Sequence, residues 1–129
     1  MCRSMFAGAL VSAVIGSASL LSPAMAATPD EGKYEFAAPP GDNFLRVYRV
    51  DRATGEIGAC EYGAKEGTPG STVCYPAGDG AGPQGAGEYG LVRSNLAKEG
   101  SVFRVNRNTG DMSICYVLDA KIVCTPSAR

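Results

Sequence analysis

The chain has 129 residues, with 12 Lys and Arg against 13 Asp and Glu, and it contains neither His nor Trp. That balance excludes a general nucleic-acid binder, which would carry a net basic footprint. The absence of His removes the commonest general base and metal ligand.

Arg3 supplies a small positive region, and Phe6 to Leu21 is apolar or small and carries no charge. Ala24-Met25-Ala26 then offers the small-x-small pattern of a secretory cleavage site, so 1–26 reads as a cleaved signal peptide. The apolar run is 16 residues, shorter than the ~20 that a spanning helix needs. No stable membrane insertion is expected after processing, and the location expected is periplasmic or extracellular. Removing 26 of 129 residues leaves 103, with 11 basic and 13 acidic side chains, enough for one small domain over 27–129.

Lys33-Tyr34-Glu35-Phe36 alternates polar and aromatic residues, a short strand signal ended by Pro39-Pro40-Gly41. The segment 43–51 is rich in β-branched and aromatic residues and predicts the first long strand. From Tyr48 to Cys60 the chain reads Tyr-Arg-Val-Asp-Arg-Ala-Thr-Gly-Glu-Ile-Gly-Ala-Cys, and Phe103 to Cys115 repeats the pattern at an offset of 55 without a gap. Placing Asp51 opposite Glu56 makes Arg52-Ala53-Thr54-Gly55 a four-residue loop, with Gly55 and Gly110 in the left-handed position. Asp51 and Asn106 then stand where a short polar side chain accepts the N–H groups of the turn. In this register Tyr48, Val50, Ile57 and Ala59 share one face, while Val47, Arg49, Gly58 and Cys60 share the other. The same reasoning puts Phe103, Val105, Met112 and Ile114 inside, with Arg104, Ser113 and Cys115 outside.

A loop from Gly63 to Gly70 leads to a strand over 71–75, where Val73 should point inward and Cys74 outward. The segment 122–124 is its counterpart after a connection five residues shorter. Between the copies, 77–87 is Gly-rich and holds no apolar side chain larger than Ala, which predicts a flexible linker. Glu88-Tyr89-Gly90-Leu91 echoes the first short strand, and 94–100 has room for one helical turn. Each repeat, 32–76 and 87–126, is therefore a four-stranded antiparallel meander. A lone sheet of this size cannot bury its apolar face. The expected fold is all-β, a duplicated meander of ~55 residues packed as a pseudo-twofold sandwich or partly closed barrel. Its expected core includes Tyr48, Val50, Ile57, Val73, Phe103, Val105, Met112, Ile114 and Val123.

Four cysteines remain after processing: Cys60, Cys74, Cys115 and Cys124. An even number in a small exported domain reads as a disulfide framework, and each copy carries its own two. The expected bridges are Cys60 with Cys74 and Cys115 with Cys124. Their spacings of 13 and 8 intervening residues are not the short pairs of a structural zinc site.

The Asp/Asn-Arg-x-Thr-Gly-acid turn resembles the D-x-x-T-G hairpin of β-propeller repeats, notably those of quinoproteins. The resemblance spans about ten residues in each copy and implies a blade-like local meander. It carries over no cofactor residue, because the chain has two copies where a propeller has typically 4–8 blades, and it lacks the tryptophan of that repeat.

No residue pattern supports catalysis. Asp51 with Glu56, and Asn106 with Asp111, could act as a carboxylate pair of a small hydrolase, but one copy lacks the first acid and turn capping accounts for both positions. No EF-hand, nonapeptide or phosphate-loop pattern is present, so neither metal nor cofactor is expected. Arg49 and Arg104 on the outer face, Arg52 and Arg107 at the loops, and the surplus tyrosines Tyr62 and Tyr116 are the candidate partner-binding residues, since guanidinium forks suit carboxylates. The function expected is a non-catalytic exported binding module for a protein or an acidic ligand. The alternative is an inhibitor of a secreted or periplasmic enzyme of the protease or lysozyme type.

Overall fold

Among the described residues eight strands follow one another in chain order and form two separate four-stranded antiparallel sheets. The computed structural model describes residues 32–43 and 45–126, so the expected signal peptide over 1–26 lies outside the described residues. The first sheet runs β1 (Tyr34–Ala37), β2 (Arg46–Asp51), β3 (Ile57–Gly63) and β4 (Ser71–Tyr75). The second runs β5 (Tyr89–Arg93), β6 (Val102–Asn106), β7 (Met112–Leu118) and β8 (Lys121–Cys124). Neither sheet closes on itself, and together they make a sandwich.

The repeated hairpin has the expected register in both copies. Val50 faces Ile57 and Arg49 faces Gly58, while Val105 faces Met112 and Arg104 faces Ser113. The turns are built alike. Asp51 Oδ1 accepts from the N–H groups of Ala53 at 2.9 Å and Thr54 at 3.1 Å. Asn106 Oδ1 accepts from Asn108 at 3.0 Å and Thr109 at 3.3 Å. Gly55 and Gly110 take φ values of 73° and 78°, a region that costs a residue with a Cβ ~1–2 kcal/mol. Cys60 pairs with Cys74 and Cys115 with Cys124, each on directly opposed positions of neighbouring strands. The shorter connection of the second copy is a two-residue turn at Asp119 and Ala120, both at positive φ.

The buried face of the second sheet is the opposite of the expected one. In the first sheet Tyr48, Val50, Ile57 and Ala59 are buried. In the second, the buried set is Tyr89, Leu91, Val102, Arg104, Cys115, Ile122 and Cys124, which is the face that carries the disulfide. Equivalent positions therefore have opposite fates. Ile57 is 1% exposed and Met112 57%; Val47 is 47% exposed and Val102 0%; Phe36 is 64% exposed and Leu91 8%. Phe103, Val105, Ile114 and Val123 are only half-buried, and Val73 is exposed at the edge strand. The physical reason lies in two replacements on the disulfide side. Thr72 and Tyr62 of the first copy become Ile122 and Val117 in the second, which gives that face enough aliphatic surface to be buried. The sheets thus meet through non-equivalent faces, front of one against back of the other.

The segment 77–87 is a docked strap, not a flexible linker. Ala77 bridges Ile122 in parallel, and Gly78 N–H donates to the Ile122 carbonyl at 2.7 Å. Cys124 N–H donates to Asp79 at 2.8 Å and Ile57 N–H to Ala81 at 2.9 Å, so the strap ties β8 to β3. Ala81 is fully buried in the core. Ordering here comes from backbone hydrogen bonds, which a composition of small residues permits by letting main chains approach. A Cβ on Gly78 would lie 2.8 Å from the Ile122 carbonyl oxygen. The segment 94–100 forms a turn, with Glu99 N–H on the Leu96 carbonyl, and no helix.

Candidate functional site

The inverted face places Arg104 in the interior. It sits mid-strand in β6, opposite Ser113 on β7 and Leu91 on β5, and the side of β6 that it occupies is turned toward the first sheet. Arg104 is 5% exposed. Its Nη1 donates to the Gly55 carbonyl at 2.9 Å, and its Nη2 lies 3.5 Å from Ser113 Oγ. Among the described residues no carboxylate oxygen lies within 4.0 Å of it. Burial pushes its guanidinium below the usual value, against an opposing influence from Tyr89. An arginine remains charged in any protein environment, so this is a buried cation held by neutral oxygens.

Two adjoining clefts of about 540 Å³ and about 290 Å³ open over this guanidinium, and both are lined by Gln84, Arg104, Asp111 and Ser113. The larger adds Asp79, Thr125 and Pro126. The smaller adds Tyr89 and Asn106. The strap forms one wall. It is fixed on the first hairpin by Gln84 N–H to Thr54 O at 2.6 Å and Gly87 N–H to Ala53 O at 3.2 Å. The Tyr89 hydroxyl donates to Gly85 O at 2.5 Å. Chemically the larger cleft offers one guanidinium fork, the hydroxyls of Ser113 and Thr125 and the amide of Gln84, with Asp79 and Asp111 beside them. Two carboxylates in the lining disfavour polyanions, whereas the guanidinium of Arg104 suits a single anionic group.

The other expected binding residues do not join it. Arg49 is exposed on the first sheet and stacks on Tyr34, its guanidinium 5.0 Å from the ring centroid. Arg107 pairs with Glu35 at 2.8 Å and lies 4.0 Å from Glu88. Arg52 sits in the first turn, where its N–H donates to Lys33 O at 3.0 Å and its carbonyl accepts from Tyr89 N–H at 2.8 Å. Tyr62 is exposed and donates to Pro69 O at 3.2 Å. Tyr116 is half-buried on the outer side of β7, opposite Val123. Of the candidate residues, Arg104 is the one that lines the two clefts described above.

A second polar group closes the inner face of the first sheet. Arg46 donates from Nε to Glu61 at 2.8 Å and contacts it again from Nη2 at 2.7 Å, and the Tyr75 hydroxyl donates to the same carboxylate. Desolvation pushes Glu61 up, but the Tyr75 hydroxyl and Arg46 together outweigh it and hold the carboxyl below its usual range. Tyr48 donates to Gly100 O at 2.7 Å, and burial pushes its hydroxyl up. This group is mutually satisfied and pins the sheets together. Two of the acids in the repeated turns, Asp51 and Asp111, have structural partners. Asp51 caps its turn and pairs with Lys33 at 3.2 Å, and Asp111 accepts from Thr109 Oγ1 at 2.9 Å.

Gln84, Asp79, Ser113 and Thr125 have no signal of their own in the sequence. Ser113 alone was placeable, as the residue paired with Arg104 in the hairpin register. Among the described residues no three His, Cys, Asp or Glu side chains converge as a metal site would need, and no helix is long and apolar enough to cross a membrane. No protein-family model, curated protein or solved structure matches this chain.

Proposed function

We propose that this chain is an exported, non-catalytic binding module, and that it holds its ligand by a carboxylate seated on Arg104. The observation that carries the reading is a buried guanidinium that lines a cleft and has, among the described residues, no carboxylate oxygen within 4.0 Å. A buried charge without a counter-charge costs several kcal/mol, and buried charges are as a rule paired. A carboxylate from a ligand restores the pairing and gains from the low dielectric of the site. Asp79, Asp111 and the hydroxyls of Ser113 and Thr125 surround the remainder of that ligand. They suit a group bearing a cation or hydroxyls, such as a peptide end. Export is supported by the two disulfides, which suit an oxidising compartment, and by the signal-like segment 1–26. The mature chain begins at Ala27 in this reading, which intact mass of the secreted protein checks.

The test is calorimetric titration with short peptides ending in a free carboxylate, against the same peptides amidated. Saturable binding of the free acids is expected, lost on amidation and lost in Arg104→Met. Equal binding of acid and amide, or unchanged binding by Arg104→Met, would sink the reading.

A further inference from the structure

The larger cleft holds charges of both signs that do not meet. Asp79 and Asp111 line it together with Arg104. Among the described residues no Lys or Arg nitrogen lies within 4.0 Å of either carboxylate. Asp111 Oδ2 accepts from Thr109 Oγ1 at 2.9 Å, a neutral partner. The Asp79 side chain makes no hydrogen bond among the described residues. Its position is set by its main chain, whose carbonyl accepts from Cys124 N–H at 2.8 Å. Elsewhere in the fold arginines and carboxylates do pair, Arg46 with Glu61 at 2.7 Å and Arg107 with Glu35 at 2.8 Å. Here one buried cation and two carboxylates share a lining, and each lacks a partner of opposite charge.

The neutral side chains of the lining point to the same chemistry. Gln84 Nε2 donates to Gly82 O at 2.8 Å and lies 3.4 Å from Gly80 O. Its amide hydrogens therefore go to the strap, and Oε1 is left as an acceptor. Thr125 Oγ1 donates to the Ile114 carbonyl at 3.5 Å, which leaves its lone pairs. Donors spent on the chain's own carbonyls, with acceptors left over, suit a ligand rich in N–H groups. Arg104 is the exception. Its Nη1 and Nη2 each make one contact with a neutral oxygen, and its Nε makes none among the described residues.

We propose that the ligand is a basic amino-acid residue whose carboxylate is free, either lysine or arginine as such or the last residue of a peptide. The inference rests on the carboxylate seat at Arg104 and adds the other end of the ligand. The carboxylate pairs with Arg104, and the side-chain ammonium or guanidinium lies beside Asp79 and Asp111. A basic residue thus supplies a partner for each sign of charge in the lining, whereas an apolar residue leaves both carboxylates unpaired. The cleft, at about 540 Å³, is of the size that takes a small molecule.

Calorimetric titration of the processed chain with Nα-acetyl-lysine and Nα-acetyl-norleucine tests this, because both carry the carboxylate and only the first carries the cation. Nα-acetyl-lysine is expected to bind about fivefold more tightly or better, the upper range for an exposed ion pair. Replacing both acids, Asp79→Asn with Asp111→Asn, should remove that preference and leave Nα-acetyl-norleucine binding unchanged. A loss of folding alone would weaken both ligands, and the urea midpoint of the variant checks its fold. Equal binding of the two ligands by the wild type, with both lost in Arg104→Met, would overturn this inference and leave the carboxylate seat standing. Binding of neither would overturn the seat itself. A preference that survives the double replacement would overturn the role of the two acids. Lysine and Gly-Gly-Lys then distinguish the sources. Tighter binding of the tripeptide assigns the site to a peptide end, and binding of lysine at least as tight assigns it to the free amino acid.

Discussion

Truncating equivalent side chains in the two copies should give opposite results on the two faces. Ile57 and Met112 stand 55 residues apart at the same register position, yet Ile57 is 1% exposed and Met112 57%. Ile57→Ala removes buried atoms and leaves a cavity, a change that costs ~2–5 kcal/mol. Met112→Ala removes side-chain atoms that already meet water and should cost no more than ~1 kcal/mol, the span of strand propensity. On the disulfide side the order reverses. Val102 is fully buried and Val47 is 47% exposed. Val102→Ala should cost at least ~1.6 kcal/mol, at ~0.8 for each lost carbon and more for the cavity. Val47→Ala should stay within ~1 kcal/mol. Urea unfolding at low protein concentration reads these differences as shifts in midpoint at constant slope. In a domain of this size each kcal/mol should also lower Tm by ~4–8 °C. A Met112→Ala loss equal to that of Ile57→Ala, or a Val47→Ala loss equal to that of Val102→Ala, would show that the sheets meet through equivalent faces and would refute the inverted packing.

Further outcomes follow from single sites. Asp51 has its pKa lowered: desolvation opposes ionisation, but the Ala53 and Thr54 amides and Lys33 outweigh it. Its contribution to stability is therefore full above the ordinary carboxylate pKa and is lost as pH falls through the lower folded value. Asp51→Asn keeps the turn cap that Asn106 makes in the second copy, and an acid titration of unfolding should show a shallower decline in that window. The Cys60–Cys74 bridge lies on the solvent side and Cys115–Cys124 in the core. Mild reductant followed by alkylation and peptide mapping should label Cys60 and Cys74 first, because exchange depends on access. Ala120 holds a φ of 59° in the β7–β8 turn, so Ala120→Gly should raise stability by about 1 kcal/mol in the same urea assay.

The hairpins, their register and both disulfides were legible because local chemistry specifies them. Gly55 and Gly110 are required where φ is positive, and Asp51 and Asn106 where turn amides need an acceptor. A duplicated pattern then checks each assignment against its twin. The buried face of the second sheet is not legible for the same reason: duplication implies that equivalent residues have equivalent surroundings, and here they do not. Which face is buried depends on the partner sheet, and the only local sign was the aliphatic gain at Val117 and Ile122. The strap is not legible from composition, which reports side chains; its order rests on amides of Gly78 and Cys124 and on the room that glycine leaves. Arg104 was placed correctly on its strand and beside the disulfide. Its burial, and the cleft formed with Gln84 and Asp79, depend on contacts between segments far apart in the chain and could not be read from either segment alone.

One asymmetry underlies the proposed site: Arg104 is buried and lines the cleft, and Arg49, its structural twin, is exposed. Side-chain Nε–H resonances of both arginines, followed by nuclear magnetic resonance during titration with glutarate, test it most directly. The Arg104 signal should move and saturate while that of Arg49 stays within the effect of ionic strength. Parallel, unsaturated shifts of both signals, or movement of Arg49 alone, would contradict the assignment of the site.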